Sequence, residues 1–171
     1  MKKIRKVATF KQRKMTANGV FMSRLIYCIT VWGGNCGEEM LNALQVCQNR
    51  AARAVTRNSW TVSSADTLKQ CGWLNVRQLV AFFTVLQMYK ISRFRQPADL
   101  AVMFDWEYGR ATRAAAAGLV KPVGLPRLAL ARDSFRYRAP ELFNQLPVSV
   151  RHCDTVQSFK LAAKKWIQDH I

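Results

Sequence analysis

Two histidines, five cysteines and ten acidic residues are all that this chain of 171 residues offers for building a reaction centre. A polymerase or nuclease that works through two divalent ions needs paired carboxylates, because hard cations take oxygen ligands a few ångströms apart. Here Asp66, Asp99, Asp105, Asp133, Asp154 and Asp169 are dispersed, with no D-D or D-x-D among them. Glu38-Glu39 is the only adjacent acidic pair, and it stands where a helix N-terminus favours negative charge. His152 and His170 have no G-x-S-x-G nearby, and His152-Cys153 are mere sequence neighbours, whereas a nucleophile and its base meet through the fold. Cys28, Cys36, Cys47, Cys71 and Cys153 form no C-x-x-C pair, so the ligand spacing of a structural zinc site is missing. No glycine-rich phosphate loop occurs. The expectation is a chain with no catalytic residues, no metal site and no cofactor.

What the chain does carry is positive charge. Lys and Arg number 27 against 10 acids, a net +17. Like charges repel in a compact molecule, and a polyanion relieves that repulsion while releasing its counterions. The expected partner is therefore RNA, DNA or an RNA–DNA hybrid, with an anionic membrane surface second. Arg50, Arg53 and Arg57 fall at i, i+3 and i+7, which makes one ridge on a helix with no acid placed to pair with it. A second cluster comprises Lys2, Lys3, Arg5, Lys6, Lys11, Arg13 and Lys14. Arg136 and Arg138 alternate with Phe135 and Tyr137 in SFRYRAPELFNQLP, where the aromatics are expected to pack and the arginines to face phosphate. Contacts of this kind hold a nucleic-acid backbone without reading its sequence. The basic start lacks the apolar stretch of a signal peptide, and an odd cysteine count suits reduced thiols, so a nuclear or cytoplasmic location is expected, not a secreted one. No run of about 18 apolar residues is present, so no membrane span is expected.

Helices must position these groups. Half of the residues are hydrophobic and 11% aromatic, too apolar for a disordered tail. From Thr16 onward, Phe21, Leu25, Ile29 and Trp32 recur at helical spacing, and Gly33-Gly34-Asn35 should end that helix. A second helix starts near Gly37, with Met40, Leu44, Cys47, Ala51 and Ala54 predicted as its buried stripe. Asn42, Gln45, Asn49 and the three arginines lie on its opposite side. Ser63-Ser64-Ala65-Asp66 has the form of a capping box and opens a short helix to about Cys71. Asn75 caps a fourth helix, buried through Val76, Leu79, Val80, Phe83 and Leu86, that runs to about Ile91.

Glycines and prolines punctuate Ser92 to Arg132, which reads as a basic linker with short extended pieces such as Leu128-Ala129-Leu130. SFRYRAPELFNQLP should have an extended or single-turn lead-in to Arg138, then a short helix with Pro140 near its first turn. The last helix points Val156, Phe159, Ala163, Trp166 and Ile167 inward and Lys160, Lys164 and Lys165 outward. The fold class is mainly α, divided as 1–92, an irregular basic linker over 93–132, and a small helical C-terminal unit over 133–171.

Five segments, in order, resemble one family. RKMTANGVFMSRLIYCITVWGG (Arg13–Gly34), LNALQVCQNRAARAVT (Leu41–Thr56) and GWLNVRQLVAFFTVLQMYKI (Gly72–Ile91) look like the region after the palm in reverse transcriptases of non-LTR retrotransposons, the jockey-like group especially. SFRYRAPELFNQLP and SFKLAAKKWI (Ser158–Ile167) resemble the end of the same polyproteins, although Phe143 stands where Trp is more usual. The resemblance implies that 1–92 is a thumb-like helical bundle that holds a template–primer duplex. The parent would be an RNA-directed DNA polymerase, whose [FY]-A-D-D palm motif is not in this sequence. The chain then looks like a truncated, non-catalytic piece of such a protein. The zinc knuckle of some relatives is at odds with the cysteine spacing. The competing expectation is a docking module, for the rest of the polymerase or another protein, using apolar faces at Phe135, Leu142, Phe143 and Trp166.

Overall fold

The computed structural model describes residues 8–106, 117–121, 123–124, 127 and 129–171. Lys2, Lys3, Arg5 and Lys6, and within the expected linker Gly109, Arg110, Arg113, Pro122, Pro126 and Leu128, lie outside the described residues. The fold is mainly α, with no strand among the described residues. Two compact units divide it: residues 1–29 with 36–79, and residues 30–35 with 80–171. That division differs from 1–92, 93–132 and 133–171, because the described part of the expected linker packs into the second unit's core through Ala101, Phe104 and Val120.

In the first unit, α1 (Phe10–Ala17) continues through a π-helical turn (Asn18–Met22) into α2 (Ser23–Ile26). Its start lies upstream of the predicted Thr16. Thr9 caps it by a reciprocal box: Thr9 Oγ1 accepts from the Gln12 amide, and Gln12 Oε1 accepts from the Thr9 amide at 2.8 Å. The residues that α1 buries are Arg13 and Ala17, so the apolar periodicity that marks a helix is absent here. The predicted run to Trp32 is also interrupted. Tyr27 turns extended (ψ 123°) and Cys28 takes φ 49°, before α3 (Ile29–Trp32), most of which belongs to the second unit, restarts.

The next helix, α4 (Glu38–Thr56), carries Glu38 and Glu39 in its first turn, as its dipole favours. The stripe it buries is rotated from the predicted one: Leu41, Gln48, Ala51, Ala52 and Val55 face inward, while Met40 and Cys47 are exposed. Two amides cause the rotation. Gln48 Nε2 donates to the Leu74 carbonyl at 2.8 Å, and Gln45 Oε1 accepts from the Val76 amide at 2.8 Å. Both satisfy backbone groups of the turn between α5 (Ser64–Cys71) and α6 (Val76–Phe94), which would otherwise be buried unpaired. Ser63 caps α5 by accepting from the Ala65 amide at 3.2 Å rather than through the expected box with Asp66, and Gly72 ends it at φ 65°, a left-handed conformation that suits a residue without Cβ. Asn75 caps α6 by exchanging amide–side-chain bonds with Gln78.

In the second unit, α6 packs with α8 (Phe135–Gln145), α9 (Val148–Arg151) and α10 (Val156–His170). A short α7 (Ala98–Ala101) precedes them, and a 3₁₀ turn (Ala129–Asp133) replaces the extended piece expected at Ala129. A Cβ on Gly34 would collide with the Asp133 carbonyl, so the turn after α3 requires glycine for close approach. The helix α8 begins at Phe135, a full turn earlier than expected, and Pro140 lies inside it. Such a proline removes a hydrogen bond and costs about 3 kcal/mol. Burial of Ala139, Pro140, Phe143 and Leu146, with the Phe135 ring edge-on to Phe104 at 6.2 Å, offsets that cost. The inward face of α10 is the predicted one, with Phe159, Ala163 and Ile167 all fully buried.

Candidate nucleic-acid interface

The eight cations singled out from sequence have different fates. Arg13 is buried, and its Nε donates to the Val55 carbonyl at 2.7 Å while Nη1 donates to Ala8 at 2.5 Å. Val55 is in the last turn of α4, whose terminal carbonyls have no intrahelical partner and carry partial negative charge. Arg13 is thus a C-terminal cap for α4, not a surface cation. Arg53 is half-buried, and its Nη2 donates to the Val62 carbonyl at 3.3 Å and to Ser64 Oγ at 3.0 Å. It ties the loop of residues 57–63 to the start of α5. Lys14 is half-buried against Gly72 and the buried Cys71, whose thiol burial pushes up more than Lys14 pulls it down.

Lys11, Arg50 and Arg57 are exposed, Arg57 at φ 66° immediately after α4. The predicted three-arginine ridge is therefore a pair at i and i+7, because Arg53 turns to the loop. Arg24 and Lys69 add exposed cations to the same unit. Among its described residues, nine Lys and Arg accompany three acids, Glu38, Glu39 and Asp66. Glu38 is itself ion-paired with Arg77, which also donates to Asn42 Oδ1 at 3.0 Å. In the second unit, Arg136 and Arg138 are exposed on α8, and Arg136 stands over the Tyr137 ring at 6.0 Å. Of the apolar groups considered for docking, Phe143 is buried, and Phe135, Leu142 and Trp166 pack against the core.

Several residues escape a reading by sequence pattern. Trp60, in the loop between α4 and α5, is 84% exposed. Its only signal is an indole among polar residues, Asn58-Ser59-Trp60-Thr61. Arg151 and Asn144 organise the second unit from inside and have no periodic signal. No group of three His, Cys, Asp or Glu among the described residues is placed to hold a metal ion. No helix among them is long and apolar enough to cross a membrane.

Replacing Arg13 with Met is expected to destabilise the chain by about 2 kcal/mol, since a buried charge-assisted bond is lost and the Val55 carbonyl is left unpaired. Urea denaturation checks this. Lys11→Met in the same helix should leave the midpoint unmoved, because Lys11 is exposed. Equal effects of the two would refute the cap. No protein-family model, curated protein or solved structure matches the chain.

Proposed function

We propose that this chain corresponds to the thumb and post-thumb region of a non-LTR retrotransposon reverse transcriptase, and that it binds the backbone of a template–primer duplex without catalysing polymerisation itself. The observation that carries the binding is the charge of the first unit, nine cations against three acids among its described residues. Lys11, Arg24, Arg50, Arg57 and Lys69 are exposed there, and each phosphate they neutralise would release counterions. Arg13 and Arg53 take another role: they hold the helix end and the loop that carry Arg57. The ordered resemblance of five segments supports the origin, and the dispersed acids support the absence of chemistry.

Titrating the full chain against an RNA–DNA hybrid at several salt concentrations tests this. Affinity should fall steeply with salt, by about 0.9 in log K per decade for each phosphate contact. The double variant Arg50→Glu/Arg57→Glu should bind at least about tenfold more weakly, with a slope shallower by about two. A flat salt response in the parent chain would refute the reading.

One observation favours docking of a protein as a second reading. Met40 (57% exposed) stands with the exposed Cys47, two turns on, on the outer side of α4. That apolar pair would suit the remainder of a polymerase.

A further inference from the structure

We propose that Trp60 is a base-stacking residue, so that the loop of residues 57–63 takes an unpaired base of single-stranded nucleic acid. The inference rests on the backbone-binding reading above and adds the class of strand to it. An indole is a large apolar surface, and burying it is worth more than burying most side chains, yet this one is 84% exposed. The loop that carries it is not loosely attached. Arg53 Nη2 holds one end through the Val62 carbonyl and Ser64 Oγ. Asn58 holds the other, its Nδ2 donating to Thr67 Oγ1 at 3.2 Å and to Gln70 Oε1 at 3.0 Å. Thr56 Oγ1 also accepts from the Asn58 amide at 3.2 Å. Trp60 is thereby presented by an anchored loop, which lowers the entropy lost when a partner stacks on it.

The surroundings select the partner. Arg57 opens the loop and Arg50 lies two helical turns before it, both exposed. The nearest acid along the chain, Asp66, lies in the first turn of α5, where the helix dipole favours it. A protein partner of ordinary composition has no need of that excess charge. A single strand matches both features, since its phosphates meet the arginines and its bases offer faces to the indole. Bases inside a duplex are already stacked on one another, so Trp60 should discriminate between the two forms.

The test compares the full chain with Trp60→Ala and Trp60→Phe by fluorescence anisotropy, using a labelled 12-nucleotide oligo(dT) and a 12-base-pair RNA–DNA hybrid at several salt concentrations. Trp60→Ala is expected to weaken oligo(dT) binding about tenfold and leave duplex affinity within about twofold, with the salt slope on oligo(dT) unchanged. Trp60→Phe should retain most of the affinity, since it keeps an aromatic face. Circular dichroism and the urea midpoint should not move, because the ring is exposed. Unchanged oligo(dT) binding by Trp60→Ala, with normal salt dependence in the parent, overturns stacking while the backbone reading stands. Equal losses on single strand and duplex also overturn it. A parent chain that binds neither probe overturns both readings.

Discussion

Replacement of Phe159 by alanine is expected to lower the unfolding free energy by about 4 kcal/mol, the largest effect of any single truncation considered for this chain. Phe159 is fully buried and lies at the centre of three rings. Tyr89 stacks on it with centroids 4.1 Å apart and planes 13° apart, and Phe143 lies 6.4 Å away on a second helix. The neighbours have little freedom to collapse into the hole. The Tyr89 hydroxyl donates to the Cys153 carbonyl at 2.6 Å, which fixes that ring, and the Leu146 amide donates to the Phe143 carbonyl at 3.2 Å, which fixes that backbone. A cavity that cannot relax costs both the transfer term and the lost contacts. Urea denaturation followed by circular dichroism would measure this, and a loss below about 1 kcal/mol would mean the core closes over the gap. Leu161→Ala on the same helix, 66% exposed, should change stability little.

The second large effect concerns Arg151. Its guanidinium is buried and donates to three carbonyls: Asn144 at 2.8 Å, Leu146 at 2.5 Å and Ala117 at 2.9 Å. Burial holds its pKa below the ordinary arginine value, but the group starts so high that it stays charged at neutral pH. Arg151→Met keeps much of the stem and strands three acceptors, so a loss of about 3 kcal/mol is expected. Arg151→Lys preserves the charge but replaces a planar fork by a point donor, and it should recover less than half of that. Amide exchange at Val120 should report the same event. Asn144 clasps that residue from both sides, accepting from its amide at 2.9 Å and donating to its carbonyl at 2.8 Å. If Arg151→Lys matched the parent chain in stability, charge alone would be acting and the geometric account would be refuted.

These two residues also explain SFRYRAPELFNQLP, the stretch that combines arginines with aromatics. Its second half is internal architecture. Phe143 and Leu146 are buried, Asn144 binds the Val120 backbone, and Pro147 stands as the N-cap of α9. In its first half Arg136 and Arg138 are exposed, as expected, but on a helix that continues through Pro140 and turns the two away from each other. Local rules disfavour that helix. Only the apolar neighbours that Phe135 and Ala139 meet in the folded chain make it worthwhile.

Much of the helical framework was legible because its signals are local. A capping residue such as Ser63 or Asn75, a glycine at a helix end, and apolar residues on one face of α10 all lie within a few residues of the helix they mark. Net charge and the dispersal of the acids are likewise properties of the chain alone, and they direct attention to a polyanion before any fold is known. Which cations reach the surface is decided by tertiary structure. Arg13 and Lys11 are two residues apart on one helix, yet Arg13 is drawn inward by a carbonyl 42 residues away. Arg53 turns from its ridge towards Val62, and Gln45 and Gln48 turn inward to backbone groups beyond α5. In each case a long polar side chain follows an unpaired backbone group brought near by folding. A buried unpaired carbonyl costs more than the exposure of an apolar neighbour, so hydrophobic periodicity loses to hydrogen-bond demand at those positions. Composition and local pattern make this a basic, helical molecule; tertiary hydrogen bonds select which of its arginines are struts and which face outward.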